Sequence, residues 1–146
     1  MQTDIKIENI NIKQLKPYKN NAKKHNKEQV NRIAQSISEF GFTQPVLIDK
    51  NNVVVAGHGR ILGAKQAGLR QVPCVRIERL TEEQIKAYRL IDNKLNEQSE
   101  WDFKLLDEEL ALLSDDAINM EDFGFDVGVL EDETIEDVKI TEKTMI

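Results

Sequence analysis

The pattern of hydrophobic and polar positions predicts short strands and helices through the first two thirds of the chain. Apolar and polar residues alternate over residues 5–10 and predict a first strand. A polar loop with four lysines follows. Asn26 has the character of a helix N-cap, with Gln29 three residues later as a loose capping box. The apolar spacing then predicts a helix over residues 27–40, ended by Gly41.

The central part of the chain predicts a hairpin, a helix and a further strand. The runs PVLID and VVVA are rich in β-branched residues and flank an Asn-containing turn, which is typical of a hairpin. Gly57 ends the second run abruptly. Residues 60–67 have a helical composition that Gly68 closes, and residues 72–78 predict another strand.

Two more helices are expected before the chain becomes strongly acidic. Thr81 and Gln84 form a second capping box, which opens a helix with a shared apolar face of Ile85, Tyr88, Ile91 and Leu95. Asp102 is the expected cap of a helix carrying Phe103, Leu106, Leu110 and Leu113. We therefore expect a mixed α/β domain (α+β) in the order β-α-β-β-α-β-α-α.

Beyond residue 113 the periodicity is lost. The island MEDFGFDVGVL is expected to form a short turn or helix that packs back on the body, and residues 131–146 are expected to be a mobile tail. We thus predict a domain over residues 1–113 and an acidic, partly mobile extension over residues 114–146.

Composition narrows the class of protein. A length of 146 residues with 40% hydrophobic and 32% charged residues is typical of a single globular domain. No apolar run approaches the length of a membrane span, and the N-terminus lacks a secretory pattern, so we expect a cytoplasmic protein without a membrane partner. Cys74 is the single cysteine, which excludes an internal disulfide and fits a buried core position.

Charge is distributed unevenly along the chain. Residues 1–80 contain 14 basic and six acidic side chains, a formal charge of +8, whereas residues 81–146 contain six basic and 20 acidic side chains, a charge of −14. A basic half suits an anionic ligand, either nucleotide phosphate or a DNA backbone. The acidic half is either a solvated surface or a segment that competes with such a ligand.

The segment VVVAGHGRILGA is the most informative candidate for binding chemistry. Here a strand runs into Gly57, and Gly59 and Arg60 follow at the start of a helix. Both glycines permit positive φ and close backbone approach. The helix N-terminus and the arginine fork suit a phosphate group, although the same pattern also serves as a plain tight connection.

Three other polar residues are open to more than one interpretation. His58 is a candidate general base, a candidate phosphate donor or a simple polar loop residue. Asp92 and Asn93 offer hard oxygen ligands for a Mg²⁺ that bridges to phosphates, or they belong to a solvated helix face.

Together these segments resemble a known family. FGFTQPVLID, VVVAGHGRILGAKQAG and VPCVRI, in that order, resemble the N-terminal domain shared by ParB partition proteins, sulfiredoxins and related phage proteins. The resemblance implies a small mixed sheet packed with helices and followed by C-terminal helices. It further implies that Gly41, Gln44 and Pro45 hold the base and sugar of a nucleotide, and that residues 57–60 hold its phosphates. AYRLIDNKLNEQSEWD is similar to the branch fused to, or encoded beside, DNA methyltransferases.

The sequence departs from the family pattern at informative positions. Partition proteins usually have Gly-Glu-Arg-Arg where this chain has Gly-His-Gly-Arg, so one arginine and the acidic residue are lost. His58 occupies the place of the sulfiredoxin catalytic cysteine, which argues against sulfinate reduction. Asp92-Asn93 matches a Glu-Asn pair in the third conserved segment of partition proteins.

Three functions follow as hypotheses. The first is a nucleotide-binding switch or phosphotransferase that uses CTP or ATP with Mg²⁺. The second is a DNA-binding, nuclease-like protein or an accessory of a DNA methyltransferase or another DNA-processing partner, acting through the basic half. The third is an interaction domain without nucleotide binding. A homodimer is compatible with each of them.

Overall fold

The computed structural model describes residues 5–21, 24–97, 99–113 and 118–125. The chain divides into two compact units after Gln98, and each unit is described by itself. The predicted division into a domain over 1–113 and an extension over 114–146 stays a prediction. Most of that extension, including the predicted tail, lies outside the described residues.

The first unit is built on one four-stranded sheet. Its strands are β1 (Ile7–Asn11), β2 (Val46–Asp49), β3 (Val54–Ala56) and β4 (Gln71–Ile77). They lie in the order β1-β4-β2-β3, in which β4 runs parallel to β2 while the outer strands are antiparallel to their neighbours. This mixed sheet confirms the predicted fold class, and the pairing of β2 with β3 confirms the predicted hairpin.

In the described part of this unit, a 3₁₀ turn at Ile12–Gln14 follows β1, and three α-helices pack with the sheet: α1 (Lys27–Phe40), α2 (His58–Gln66) and α3 (Glu82–Glu97). The core lies between the sheet and the helices. Its largest fully buried side chains come from β2, β3 and β4 and are Val46, Ile48, Val54, Val72 and Cys74. Cys74 is therefore a core residue, as predicted.

Capping interactions set where the helices begin and end. The Asn26 side chain accepts a hydrogen bond from the Gln29 N–H at 2.7 Å and starts α1. Thr81 and Gln84 form the full reciprocal capping box at α3, with distances of 2.9 and 3.1 Å. Gly41 ends α1 at φ 86°, a backbone angle that favours glycine.

Several predicted boundaries are corrected, and the shared apolar face of α3 is only partly covered. Helix α2 begins at His58, not at residue 60, because the backbone of Gly57 already turns into the helix. Strand β1 begins two residues later than predicted, and β4 begins and ends one residue earlier. On α3, Ile85 is buried but Ile91 and Leu95 are 55% and 58% exposed. Periodicity identifies an apolar stripe but not how far along the helix other elements cover it.

The second unit contains one helix and a short turn among its described residues. Helix α4 (Phe103–Leu112) is capped by Asp102, whose side chain accepts from the Leu105 N–H at 3.2 Å. Leu106 and Leu110 are buried, as predicted for this helix. Within this unit the predicted island forms a 3₁₀ turn at Met120–Phe123, and the following Phe125 packs edge-on against Trp101 with ring centroids 5.9 Å apart.

Helices α1 and α2 approach each other closely at Gly63. A β-carbon built on Gly63 would lie 2.5 Å from Ile33 Cγ2 and 3.2 Å from the backbone nitrogen of Ala34. The first distance is shorter than real β-carbon contacts, and the second is a tight contact with backbone that cannot rotate away. Glycine at this position therefore sets the separation of the two helices.

We predict that Gly63→Ala lowers the free energy of unfolding by about 1–3 kcal/mol, as expected for overpacking. In an unobstructed helix interior the same change would stabilise by roughly 0.5–1 kcal/mol, so the sign is diagnostic. Denaturant unfolding of Gly63→Ala, with the exposed Lys65→Ala as a control on the same helix, measures it. An increase in stability would contradict the close packing.

Candidate functional site

A cavity of about 440 Å³ opens at the N-terminus of α2 within the first unit. The cavity is lined by residues from the loop before α1, from the first turns of α1 and α2, and from the length of α3. Its wall combines apolar side chains with many polar and charged groups: Tyr18, Asn20, Asn21, His25, Gln29, Ile33, Val55, Ala56, Gly57, His58, Gly59, Arg60, Lys86, Arg89, Leu90, Asp92, Asn93 and Asn96. The predicted residues of the glycine turn and of the Asp92-Asn93 pair thus meet in one place.

Gly57 makes the turn from β3 into α2. Its φ of 113° and ψ of 19° lie in the left-handed region, so Gly57 adopts the positive φ that the sequence permits at both glycines of the turn. A β-carbon here would also lie 3.2 Å from a methyl of Val46. The turn leaves the first N–H groups of α2 beside the cavity, where the positive end of the helix dipole favours an anion.

Gly59 has a different role from the one expected. It lies inside α2 and is not among the positive-φ glycines of the described residues, so it does not use the positive φ that the sequence permits there. Instead, a β-carbon on Gly59 would lie 2.8 Å from Cε1 and 2.9 Å from Nδ1 of His25. His25 Nδ1 in turn lies 2.8 Å from Gln29 Oε1. Gly59 thereby makes room for the His25 ring.

Arg60 projects from the first turn of α2 and is half-buried. Its Nη1 donates a hydrogen bond to the carbonyl of Pro45 at 3.3 Å. Burial lowers the pKa of the Arg60 guanidinium, and the carboxylate of Asp92 opposes that shift. The guanidinium stays protonated at neutral pH, because an arginine side chain does not deprotonate in proteins. One side of the cavity therefore presents a fixed positive charge.

His58 holds the loop before α1 against α2. Its Nε2 accepts a hydrogen bond from the backbone N–H of Tyr18 at 3.2 Å. Burial lowers the pKa of His58, and the positive charge of Arg89 and the neighbouring His25 lower it further. A neutral ring with an unprotonated Nε2 carries its proton on Nδ1. The structure thus gives His58 a neutral state and an anchoring contact.

Sequence reasoning did not single out Arg89. Its guanidinium carbon lies 3.7 Å from the centroid of the Tyr18 ring, and its Nη2 and Nε donate to the carbonyl of Val54 at 3.0 and 3.3 Å. Stacking on an aromatic ring and hydrogen bonding to a fixed carbonyl hold the cation in place. One signal was available, because Arg89 lies three residues before Asp92 and thus on the same side of the helix.

The remaining predicted site residues are divided between the cavity and its surroundings. Asp92 and Asn93 are partly buried and both line the cavity. Pro45 borders it through the hydrogen bond to Arg60. Gly41 ends α1 and Gln44 is exposed in the segment before β2, and neither lines the cavity. The structure therefore gathers the predicted phosphate and metal residues, whereas the residues expected to hold the base and sugar do not line the cavity.

Residues 1–94 match the family model of the ParB N-terminal domain, and this match includes the whole sheet and most of α3. The chain belongs to the ParB N-terminal domain family. This confirms the family predicted from the glycine turn and the segments around it. Its assignment to the phage and methyltransferase branch stays a prediction.

Individual relatives agree with this assignment. The ParB-like nuclease domain-containing protein YnaK of Escherichia coli is 40% identical over 84 residues, which are 58% of this chain and 97% of YnaK. The probable chromosome-partitioning protein ParB of Rickettsia bellii is 30% identical over 88 residues, but the match spans only 30% of that protein. The ParB domain here thus corresponds to nearly all of one relative and to a third of the other.

A solved structure shows the same fold. The C-terminally truncated chromosome-partitioning protein ParB from Caulobacter crescentus, complexed with CTP-gamma-S, aligns with a TM-score of 0.67 over 94% of this chain and 85% of that one. The two sequences are 18% identical, so this likeness concerns the fold. No described helix of the present chain is long and apolar enough to cross a membrane.

The contact between Gly59 and His25 predicts a coupled pair of substitutions. Gly59→Ala should lower the free energy of unfolding by on the order of 1–2 kcal/mol through overpacking. In a His25→Ala background the same change should be neutral or slightly stabilising, because the ring is gone and the backbone is helical. Gly57→Ala is the comparison, since its cost comes from positive φ and should persist in both backgrounds. Equal costs of Gly59→Ala with and without His25 would contradict the contact.

The lowered pKa of His58 predicts a pH dependence of stability with a definite sign. The unfolded chain, with a His58 pKa near the usual 6.5, binds a proton more readily than the folded one. His58 therefore reduces stability as the pH falls below 6.5 and until the folded-state pKa is reached, and it has no effect well above 6.5. His58→Gln, which keeps an acceptor for the Tyr18 N–H, should lose stability less steeply between about pH 7.5 and about pH 5.5. Identical slopes in denaturant unfolding would show that His58 is not the responsible group.

Proposed function

We propose that this ParB domain binds a nucleoside triphosphate together with Mg²⁺ in the cavity at the N-terminus of α2. Binding would serve a nucleotide-dependent switch or a phosphoryl transfer in a DNA-related process. One observation carries the proposal: the first turn of α2, with Arg60, and the Asp92-Asn93 pair of α3 face the same 440 Å³ space. A cavity of this size lies within the usual range for small-molecule sites.

The charges around the cavity suit a polyphosphate. Among the described residues of its lining, Arg60, Lys86 and Arg89 are cationic and Asp92 is the one carboxylate. The backbone N–H groups at the start of α2 add hydrogen-bond donors that do not depend on pH. Arg89 and Lys86 come from α3, so the loss of one arginine from the Gly-His-Gly-Arg turn is offset by cations from another element.

Asp92 and Asn93 fit a Mg²⁺ that is shared with the nucleotide. Both residues are partly buried and offer oxygen atoms to the cavity. Among the described residues there is no cluster of three or more His, Cys, Asp or Glu side chains that would hold a metal alone. Mg²⁺ commonly takes one or two protein oxygens and completes its shell with phosphates and water. The pair therefore suits an ion that arrives with its nucleotide.

CTP is the first nucleotide to test, with ATP as the second. The support for CTP comes from the Caulobacter crescentus ParB, whose structure was determined as a complex with CTP-gamma-S. Gly41 and Gln44, which the family resemblance assigns to base and sugar, lie outside the cavity lining. Discrimination between bases would then rest on the polar side chains of the loop before α1, among them Asn20 and Asn21.

The geometry favours an anchoring role for His58 over proton abstraction. A general base needs a free lone pair within reach of the substrate. The Nε2 lone pair of His58 already accepts the Tyr18 N–H. We propose that His58 fixes the loop that carries Tyr18 and the asparagines, so that its loss alters affinity before it alters any turnover.

A nuclease-like role has less support from the described residues. Cleavage by two metal ions requires several carboxylates around one space. The cavity has Asp92 alone, and no acidic metal cluster occurs in the described part of the chain. Direct DNA binding through the exposed lysines of the first unit, and a methyltransferase partner, stay predictions.

We predict that Arg60→Ala weakens binding of the nucleotide with Mg²⁺ by about 1.5–3 kcal/mol, or roughly 10- to 150-fold, because a charge-assisted phosphate contact is lost. Arg60→Lys should retain part of the affinity, since it keeps the charge without the bidentate fork. Lys65→Ala is the matched control, a basic residue exposed on the same helix and outside this cavity. Calorimetric titration with CTP and ATP, with and without Mg²⁺, measures each variant.

The same titration tests the metal assignment. Asp92→Asn should weaken binding only when Mg²⁺ is present, because without the ion the carboxylate repels the phosphates. Unchanged affinity in a folded Arg60→Ala variant would contradict phosphate binding at the first turn of α2. Absence of nucleotide binding by the unmodified protein would overturn the proposed function as a whole.

A further inference from the structure

Strand β1 forms one edge of the sheet and leaves apolar side chains exposed. It pairs with β4 on one side, and no described strand lies on the other. Ile7 at its start is 60% exposed, and Ile5 just before it is 70% exposed. An open edge with exposed apolar residues is a ready template for another strand.

The direction of the free backbone groups on β1 follows from its pairing with β4. Ile12 donates its N–H to the carbonyl of Arg70 at 2.9 Å, one step beyond the paired Asn11 and Gln71. Bonding to a neighbour alternates along an antiparallel strand, so the even-numbered residues of β1 bond to β4. Asn9 lies opposite Pro73, which has no N–H to donate. This agrees with the assignment of Asn9 to the residues that do not bond to β4. Ile7 and Asn9 therefore direct their N–H and C=O groups to the open edge.

A second copy of β1 matches this edge in one register. When two antiparallel copies are centred on Ile7, each Ile7 pairs with its counterpart and Ile5 lies opposite Asn9. Ile7 and Asn9 have outward backbone groups, and extension of the strand to Ile5 on pairing would give Ile5 the same orientation. Lys6 then lies opposite Glu8 of the other copy, at the closely spaced positions where side chains interact most.

Neighbouring registers are disfavoured by charge. A shift of two residues keeps the outward backbone groups matched, but it places Lys6 opposite Lys6 or Glu8 opposite Glu8. Like charges directly opposite each other destabilise a pair of strands. The sequence IKIEN therefore selects the register centred on Ile7.

We propose that β1 is a homodimer interface, at which two copies of this chain join their sheets antiparallel through Ile7. The register across the sheet places Ile7 beside Val75 and Val75 beside Leu47, so one apolar row already crosses three strands. Pairing at Ile7 continues this row into the second copy. The interface contains no residue of the nucleotide cavity, so it stands independently of the proposed function.

A cysteine pair tests the register directly. Paired residues on antiparallel strands have Cα atoms about 4.5–5.5 Å apart, which permits a disulfide. Ile7→Cys should therefore form a covalent dimer under mild oxidation. Ile5→Cys is the matched control, because four positions separate it from its counterpart, roughly 13 Å along the strand. The native Cys74 is fully buried and does not compete.

A charge swap tests the same interface without a covalent bond. Lys6→Glu places two acidic residues opposite each other at both ends and should weaken the dimer by roughly tenfold or more in sedimentation experiments. Mixing Lys6→Glu with Glu8→Lys restores unlike pairs and should restore the dimer. Glu8 also forms an ion pair with Arg76 at 3.1 Å, which Glu8→Lys removes. Circular dichroism therefore checks that each variant is folded.

The outcomes separate this proposal from the nucleotide site. A dimer of twice 16.8 kDa that Lys6→Glu dissociates, with nucleotide affinity unchanged, supports it. A monomer at every concentration, or equal crosslinking of Ile5→Cys and Ile7→Cys, overturns it. A dimer that is insensitive to Lys6→Glu would assign association to another surface.

Discussion

The left-handed turn at Gly57 is the constraint on which the candidate site depends. Its φ of 113° reverses the chain at the end of β3, and the missing β-carbon lets the turn lie against Val46. Because Val46 is fully buried in the sheet, this contact fixes where α2 begins. Gly63 then sets how closely α2 approaches α1. The position of the cavity is therefore a consequence of backbone geometry at two glycines.

The sequence predicted the elements better than their contacts. The hairpin, α1 and the Thr81 capping box depend on turn chemistry and local hydrogen bonds, and such signals are contained in a few neighbouring residues. The role of Gly59 depends on His25, which lies 34 positions earlier in the chain. A Gly-x-Gly pattern does not show which glycine has positive φ and which one makes room for a side chain. Arg89 was missed for the same reason, since its partners are Tyr18 and the Val54 carbonyl.

Electrostatics link the loop before α1 to the cavity. Arg89 stacks on Tyr18, and His58 accepts the N–H of the same residue, so two side chains hold one loop. Burial lowers the pKa of His58, and the charge on Arg89 lowers it further, because a second positive charge nearby would be unfavourable in a partly buried site. A bound polyphosphate would reduce that repulsion. Ligand binding should thus raise the His58 pKa and change how firmly the loop is held.

The strand order determines how far the two nucleotide cavities would lie from a dimer interface at β1. In the order β1-β4-β2-β3, the cavity receives Val55 and Ala56 from β3, at the edge opposite to β1. Joining two copies at β1 gives one sheet of eight strands with a β3 at each outer edge. At about 4.8 Å per strand, the two β3 strands lie roughly 34 Å apart. Neither cavity is then covered by the second copy, and coupling between them would have to pass through the sheet itself.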